Sequence, residues 1–215
     1  MSTEAEPKRP ETRIQREKRE IIFEAALEVF SAQGFRGATI DQIAEAAGMS
    51  KPNLLYYFRN KEDIYATLLH QLLDMWLAPL IAMDAEGDPL KELSRYIRRK
   101  IEMARDFPRE SRLFANEILR GAPHIMPMLT DELKPLVDEK AGVIRKWMAE
   151  EKIAAVDPYH LIFALWATTQ HYADFDAQVQ AVLGPGRAGE GRFEDAARLI
   201  ERMMLDGLRP RENPD

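Results

Sequence analysis

Apolar residues recur every three or four positions along most of the chain. In residues 12–33 they fall at relative positions i, i+3, i+4, i+7 and i+8 from Ile22 onward, and Gly34 follows. This spacing places them on one face of an α-helix, and a glycine is a common helix end. No segment keeps the apolar–polar alternation of a half-buried β-strand for long. The chain is therefore predicted to be all-α.

Capping and stop signals divide this pattern into nine predicted helices. Serine, threonine and Asp-Pro pairs open several of them, and glycines close several. The predicted helices cover residues 12–33, 39–47, 50–58, 61–80, 88–106, 108–121, 125–151, 157–182 and 193–208. The segment GPGRAGEG, residues 184–191, is predicted to be a flexible loop before the last helix.

The second and third helices are short and are separated only by a turn that begins with Gly48. Two short helices joined in this way are typical of a helix-turn-helix motif. Thr39 and Gln42 match a capping box at the start of the first of them. In the second, Leu54 and Phe58 are spaced to pack inward, which leaves the tyrosines between them to face outward. The sequence SKPNLLYYF is therefore predicted to hold a recognition helix.

The outward side chains of this motif suit DNA. The first turn of a recognition helix reads base edges, and hydroxyl, amide and ammonium groups donate to phosphates. The candidate DNA-binding residues are Thr39, Ser50, Lys51, Asn53, Tyr56, Tyr57 and Lys61. A helical hairpin with a solvated basic face is the alternative, because short helices joined by a glycine turn also occur by chance.

The charge of the chain is unevenly distributed. The formal net charge is −6, which by itself argues against nucleic acid. Residues 1–60 hold 9 Lys or Arg and 9 Asp or Glu, so the whole net negative charge lies in residues 61–215. A neutral first part with basic residues on one face can bind phosphate while the acidic remainder faces elsewhere.

Composition and motifs exclude several other classes of protein. The chain has no cysteine, which rules out disulfides, iron–sulfur clusters and thiol catalysis. No apolar run approaches the roughly 18 to 20 residues of a membrane span, and the polar N-terminus is not a secretory signal. No zinc-protease, nucleotide-binding or hydrolase motif is found, and the four histidines do not follow a metal-ligand spacing. We expect no catalytic residue, metal or cofactor, no membrane partner, and a cytoplasmic location.

The segment ATIDQIAEAAGMSKPNLLYYFRNKEDIY resembles the N-terminal signature of the TetR family of transcriptional regulators. This resemblance implies a three-helix DNA-binding domain over residues 12–60, preceded by a disordered arm over 1–11. It also implies a larger α-helical ligand-binding and dimerisation domain over 61–210. The expected activity is that of a repressor, which binds a palindromic DNA operator and is released by a small molecule.

The resemblance continues into the second domain. LLDMWLAPL, ARDFPRESRLFANEILRGAP, VDEKAGVIRKW and DPYHLIFALWATTQHYADF resemble a member of the family that regulates pyrimidine utilisation. Ligand domains usually diverge within the family, so this similarity bears on the effector. It implies uracil or thymine.

Five residues are candidates for binding such a ring. Phe163, Trp166 and Gln170 are spaced three and four apart, and so share a helical face. Trp166 and Trp76 offer flat surfaces for stacking, and a glutamine amide can match the N–H and C=O of an imide edge. Trp76 lies on the fourth helix, which leads out of the DNA-binding part, and His171 is a further candidate.

Other interpretations stay open at this stage. Aromatic residues at helical spacing belong to a core more often than to a ligand site, and His171 with Asp174 is compatible with a structural pair. A family member with another effector, such as an apolar drug or an acyl chain, is one alternative. An enzyme that uses His171 and Asp174 as acid and base on a small heterocycle is a second, although no nucleophile, metal set or cofactor loop supports it. A helical scaffold without DNA binding is a third.

A homodimer is expected because one short helix reads few bases. The helices at 158–182 and 193–208 are rich in large apolar side chains. Paired with their symmetry mates, they would form a four-helix interface. The alternative is that both apolar stripes pack only within one chain.

Overall fold

The computed structural model of the protein describes residues 12–210. Within this range it contains helices and no strand, so the all-α prediction is confirmed. The helices are α1 (Arg13–Gly37), α2 (Ile40–Ala46), α3 (Lys51–Tyr57), α4 (Lys61–Ile81), α5 (Pro89–Asp106), α6 (Pro108–Leu119), α7 (Met126–Met128), a π-helical turn (Leu129–Leu133), α8 (Lys134–Ala149), α9 (Pro158–Asp174), α10 (Asp176–Leu183) and α11 (Gly191–Leu208). The arm predicted over residues 1–11 lies outside the described residues.

The chain divides into two compact units, one up to Leu68 and one from Leu69 onward. The division falls inside α4, so the first part of this helix belongs to the first unit. The predicted boundary lies between residues 60 and 61, where α4 begins. A helix start is visible in a sequence, whereas a change of packing partners within one helix is not.

The first unit is built on one face of α1. Its buried residues follow the predicted spacing and include Ile22, Ala26 and Phe30. The side chain of Thr12 caps the first turn, and Gly34 has φ +67° and ψ 170°, which interrupts the helix near its end. A glycine tolerates this positive φ because it has no Cβ. The predicted end at Gly34 therefore marks a kink, after which the helical assignment continues for one short turn.

The second unit is centred on α5, which packs against α9 and α11. Buried side chains from these helices and α8 form one core, which includes Leu93, Ile97, Ile144, Trp147, Leu165 and Ile200. Trp147 is fully buried, and its indole N–H donates to the carbonyl of Ala85 at 3.0 Å. The inward stripe of α5 also carries Tyr96 and Lys100, and these two residues position the polar site described below.

Two of the predicted helices are more divided than expected. The helix over 125–151 comprises α7, the π-helical turn and α8. The helix over 157–182 is broken at Phe175, where φ −112° and ψ 27° separate α9 from α10. Arg192 on α11 donates to Asp176 at the start of α10, at 2.9 Å. Arg192 lies 16 residues after Asp176 in the sequence. The periodicity of residues 157–182 alone therefore does not predict this hydrogen bond.

By length and composition alone, α4 is apolar enough to cross a membrane, with a mean hydropathy of 1.3 over an 18-residue window. The prediction that no apolar run approaches a membrane span concerns uninterrupted apolar residues, whereas this window also contains polar ones. Half of this window is buried inside the protein. Core helices of globular proteins pass the same test, so the observation is weak evidence for a membrane span.

Candidate functional site

The predicted capping box at the start of α2 is confirmed. The Thr39 hydroxyl accepts from the Gln42 backbone N–H at 3.2 Å, and the Gln42 side chain accepts from the Thr39 N–H at 2.9 Å. These two bonds satisfy backbone donors that a helix start leaves without partners. They fix the position at which α2 begins, and they use part of the hydrogen-bonding capacity of the Thr39 side chain.

The turn between α2 and α3 is a Schellman motif. The Gly48 N–H donates to the Glu45 carbonyl at 3.0 Å, and the Met49 N–H donates to the Ala44 carbonyl at 2.9 Å. Gly48 has φ +63°, a conformation that L-residues rarely adopt. The two short helices are therefore joined by a turn of defined geometry, as a helix-turn-helix requires.

The inward side of α3 packs as predicted. Leu54 is completely buried, and Phe58 is 2% exposed. The Phe58 ring meets the edge of Phe23 with centroids 5.4 Å apart, and the Arg19 guanidinium lies 4.5 Å from the Phe58 ring centroid. These contacts hold α3 against α1 within the first unit.

The outward side of α3 presents polar groups. Ser50, Lys51 and Asn53 are exposed at its start, and Tyr56 is 73% exposed. Ser50 occupies the N-cap position but makes no side-chain cap bond. Tyr57 is half-buried and packs edge-on against Tyr56, with ring centroids 5.2 Å apart. The exposed first turn is the part of a recognition helix that meets base edges in this motif.

Two of the candidate lysines already have partners in the first unit. The Lys51 ammonium donates to Asp41 at 2.9 Å, and both side chains are largely exposed. The Lys61 ammonium donates to the carbonyls of Phe35 and Ala38 at 2.8 and 2.9 Å. Lys61 therefore joins α4 to the end of α1, a role that the sequence analysis missed, and only one of its three N–H groups is left for a phosphate.

The predicted ligand residues do not share one environment. Trp76 is buried, Trp166 and Gln170 are half-buried, and Phe163 and His171 are exposed. The rings of Phe163 and Trp166 lie 5.8 Å apart, whereas His171 stacks on Phe175 at 5.1 Å. The structure thus brings Phe163 and Trp166 together and places His171 against Phe175 instead.

Trp166 is hydrogen-bonded to a residue on the inward stripe of α5. Its indole N–H donates to the Tyr96 hydroxyl at 2.7 Å. Tyr96 is 3% exposed, and burial raises the pKa of its hydroxyl above the ordinary tyrosine range. One turn further along α5, Lys100 lies on the same stripe.

Lys100 and Trp76 form a buried pair. The Lys100 Nζ atom lies 5.1 Å from the centroid of the Trp76 ring. Lys100 is 4% exposed and Trp76 is 7% exposed. Burial lowers the pKa of Lys100 to about 8, and the nearby charge of Asp174 acts in the opposite direction. Within the described residues, the buried Trp76 Nε1 atom has no hydrogen-bond partner.

Asp174 supplies the acidic group of this region. It accepts from the Ser111 hydroxyl at 2.5 Å. Burial raises the pKa of Asp174, and the bond from Ser111 and the charge of Lys100 oppose that shift. Sequence reasoning missed Lys100 and Ser111. Lys100 carried a signal, because it and Glu92 are the two charged residues on the inward stripe of α5 at helical spacing.

One cavity of the second unit measures about 410 Å³ and lies among α9, α10 and α11. Its lining includes His171, Tyr172, Val182, Arg192 and Leu199. Val182 is 79% exposed and Leu199 is 45% exposed, so the cavity is an open groove. Among the predicted ligand residues, His171 alone lines it.

A second polar cluster lies on α4 and the π-helical turn. His70 Nε2 is 3.0 Å from Glu132 Oε2, and the ligand-type atoms of His70, Asp74 and Glu132 all lie within 4.8 Å of one another. Asp74 and Glu132 are exposed, and exposed acidic groups commonly lie this close without a metal. Spacing among the histidines does not reveal this cluster, because it contains one histidine and two carboxylates.

The geometry of α2, its turn and α3 defines a helix-turn-helix protein. Residues 22–68 match the family model described as bacterial regulatory proteins, tetR family. Residues 69–211 match the model described as YcdC-like protein, C-terminal region. The chain belongs to the TetR family of transcriptional regulators, as the sequence resemblance predicted. Members of this family are regulators and not enzymes, so the alternative of a heterocycle-processing enzyme is excluded.

The most informative relative is the HTH-type transcriptional regulator RutR of Escherichia coli strain K12. It is 50% identical to this chain over 194 residues, which are 90% of this chain and 92% of RutR. RutR is the regulator that the segments of the second domain resemble. The similarity therefore covers both units.

Solved structures show the same fold. A transcriptional regulator from Streptomyces coelicolor, SCO4942, covers 90% of this chain and 99% of its own with a TM-score of 0.71 and 21% identity. AibR, solved with isovaleryl coenzyme A and operator DNA, covers 87% of this chain and 98% of its own with a TM-score of 0.68 and 18% identity. At these identities the likeness concerns the fold alone.

Proposed function

We propose that the protein is a ligand-responsive repressor that binds a palindromic operator as a homodimer and is released by a small pyrimidine such as uracil or thymine. The observation that carries the proposal is the 50% identity with RutR over 90% of the chain. Uracil and thymine follow from the resemblance to the regulator of pyrimidine utilisation. Because a repressor has to meet chromosomal DNA, we also propose a cytoplasmic location.

The exposed first turn of α3 is proposed to read the operator. Ser50, Lys51 and Asn53 lie there, with Tyr56 and Tyr57 one turn later. Lys51 would exchange its exposed partner Asp41 for a phosphate, which costs little because exposed ion pairs are weak. Two copies of α3 would then enter successive major grooves ~34–36 Å apart.

The homodimer is proposed to form through α9 and α11. Phe163 is 48% exposed on α9, and Leu199 and Met203 are 45% and 66% exposed on α11. Large exposed apolar side chains that cluster on a surface commonly mark a protein interface. We therefore propose that Phe163 contacts the second copy instead of the effector. A Phe163→Asp variant that still sediments as a dimer would contradict this assignment.

Release from DNA is proposed to occur by a population shift. Trp76 lies on α4, and α4 begins in the DNA-binding unit. An effector that contacts Trp76 would favour a state in which two reading heads no longer match the operator spacing. A shift from 1:99 to 99:1 requires the effector to bind one state more tightly by about 5.5 kcal/mol.

The proposal is tested by selecting genomic DNA fragments on the purified protein with and without uracil. We expect a defined set of fragments to bind without uracil and to be released when it is added. Thymine, cytosine and a fatty acid serve as comparison ligands at equal concentration. If the protein retains DNA fragments regardless of their sequence, the result would count against operator binding. If no pyrimidine changes the retention of the bound fragments, the result would count against the proposed effector.

A different effector within the family is the second candidate. AibR shares the fold and was solved with isovaleryl coenzyme A, so the fold also accommodates acyl ligands. Calorimetry with uracil and an acyl coenzyme A panel separates the two candidates. The buried Lys100 and the half-buried Asp174 favour a small polar ring over an acyl chain.

A further inference from the structure

Lys100 is a buried cation without a direct counter-ion. Within residues 12–210 its ammonium makes no hydrogen bond, and its described contact is the Trp76 ring at 5.1 Å. Burial of an ammonium without hydrogen bonds is unfavourable, because the charge loses its hydration and gains no partner. Cation–π attraction offsets only part of this cost. Such a residue is therefore unexpected in a core helix that serves structure alone.

Two further polar groups lie in the same part of the second unit. The Trp76 Nε1 atom is buried without an acceptor among the described residues. The Asp174 carboxylate attracts Lys100 electrostatically, yet the two groups form no ion pair within the described residues. Ser111 donates to one carboxylate oxygen of Asp174, which leaves acceptor capacity on the other oxygen. The region therefore offers two donors and one acceptor.

We infer that the Lys100 ammonium and the Trp76 indole N–H are the hydrogen-bond donors of the effector site and that the Asp174 carboxylate is its acceptor. The effector class that matches them is a neutral planar ring in which an N–H lies between two carbonyl groups. Each carbonyl accepts from one donor, and the N–H donates to Asp174. This inference rests on the proposed pyrimidine response, and it names the groups and the edge of the ring that carry it.

The charges of the site favour a neutral ligand. The opposite charges of Lys100 and Asp174 cancel at long range. A carboxylate ligand would be attracted by Lys100 and repelled by Asp174, so it would gain little net electrostatic attraction. An acyl chain would leave both groups desolvated without partners. A cyclic imide has both acceptors and a donor, and its flat face suits the neighbouring aromatic rings. Uracil has this arrangement at N3, with a carbonyl on each side.

The variant that tests the donor is Lys100→Met, measured by calorimetry with uracil on the full chain. We expect uracil affinity to fall about tenfold or more because a charged donor is lost, while binding of the uracil-responsive DNA fragments without uracil is retained. Uracil affinity equal to that of the wild type would overturn the inference. That result would leave the proposed function intact, because the wild type would still respond to uracil.

Lys140 provides a matched control. It is also buried, at 6% exposure, but its ammonium donates to the carbonyls of Ile81 and Met83 at 3.2 and 3.3 Å. We expect Lys140→Met to lower thermal stability and to leave uracil affinity unchanged. An equal loss of uracil affinity in both variants would indicate a general effect of burying methionine and would overturn the inference.

The ligand side of the contact is tested without any variant. Wild-type protein is titrated with uracil, 1-methyluracil and 3-methyluracil. We expect 3-methyluracil to bind about tenfold or more weakly than uracil, because its methyl group removes the N–H that faces Asp174. The 1-methyl compound keeps that N–H. Equal binding of 3-methyluracil and uracil would overturn the inference, whereas a wild type that binds none of the three would refute the proposed pyrimidine response itself.

Discussion

The ammonium of Lys100 and the ring of Trp76 lie 5.1 Å apart inside the second unit. Lys100 comes from the centre of α5, and Trp76 comes from α4. Each side chain carries polar hydrogen atoms for which the described protein supplies no acceptor. This relationship gives a physical basis for a ligand contact at Trp76 that is independent of aromatic spacing.

Lys100→Met should raise the stability of the protein in a manner that depends on pH. Burial lowers the pKa of Lys100 to about 8 from the ordinary lysine value of 10.5. The unfolded chain therefore binds one more proton than the folded chain between these values, and wild-type stability rises with pH in that window. At pH 7 the variant should gain about 1–3 kcal/mol, and this gain should shrink as the pH rises from 8 to 10.5.

Urea denaturation of both proteins without effector, at several pH values, measures this difference. Lys140→Met is the control, because its ammonium donates to two carbonyls and its removal should be destabilising. A stability difference between wild type and Lys100→Met that stays constant from pH 7 to 10.5 would contradict the assigned titration.

Trp76→Phe should weaken uracil binding and preserve the fold. Phenylalanine keeps an aromatic ring in the buried position but lacks the Nε1–H that has no acceptor in the described protein. The loss of one hydrogen bond to a ligand corresponds to about 1 kcal/mol, or roughly fivefold in affinity. Calorimetry with uracil measures the change.

Trp147→Phe is the matched variant for Trp76. The Trp147 indole donates to the Ala85 carbonyl at 3.0 Å, so its removal should lower the unfolding free energy by about 1–3 kcal/mol. Uracil affinity should be unchanged. Identical uracil affinity for Trp76→Phe and the wild type would show that the ring alone acts at position 76.

Lys51→Ala should weaken DNA binding and reduce its dependence on salt. Lys51 is exposed on the first turn of α3, and its partner Asp41 is also largely exposed. Loss of one phosphate contact should lower the slope of log affinity against log salt by about 1. Thermal stability should stay close to that of the wild type, because exposed ion pairs contribute little.

Fluorescence anisotropy with a selected operator at several salt concentrations gives this slope. Lys91→Ala, an exposed lysine of the second unit, provides the comparison and should leave the slope unchanged. If both variants behave alike, Lys51 makes no specific contribution at the DNA surface.

Gly48→Ala should destabilise the helix-turn-helix. Gly48 has φ +63° with nothing within 4 Å of an added Cβ, so the cost arises from backbone strain and not from a clash. We expect a loss of about 1–2 kcal/mol in unfolding free energy, with weaker DNA binding. Gly142 lies in α8 with the same open space around an added Cβ but without a positive φ. Gly142→Ala should therefore stabilise the protein by about 0.5–1 kcal/mol. Chemical denaturation distinguishes the two signs.

Local signals explain why the DNA-binding motif could be predicted. The capping box of Thr39, the positive φ of Gly48 and the inward spacing of Leu54 and Phe58 are each set by residues within a few positions of one another. Such features are encoded locally in the sequence. The additional structural role of Lys61 could not be predicted because its carbonyl partners lie more than 20 positions earlier in the chain.

The ligand region was less predictable for the same reason. Lys100 is buried because α9 and α11 pack on α5, and a single helix does not show which neighbours will cover it. The burial of Trp76 and the exposure of Phe163 are likewise set by the second unit as a whole. Periodicity identified the residue types that suit a flat ring but did not sort them by environment.

The buried charge of Lys100 also has a consequence for engineering. Screens for heat resistance reward the replacement of an isolated interior cation by a hydrocarbon side chain. If Lys100 belongs to the effector site, the most heat-resistant variants from such a screen will remain bound to their operators after the inducing metabolite has accumulated. Heat tolerance and induction should therefore be selected together.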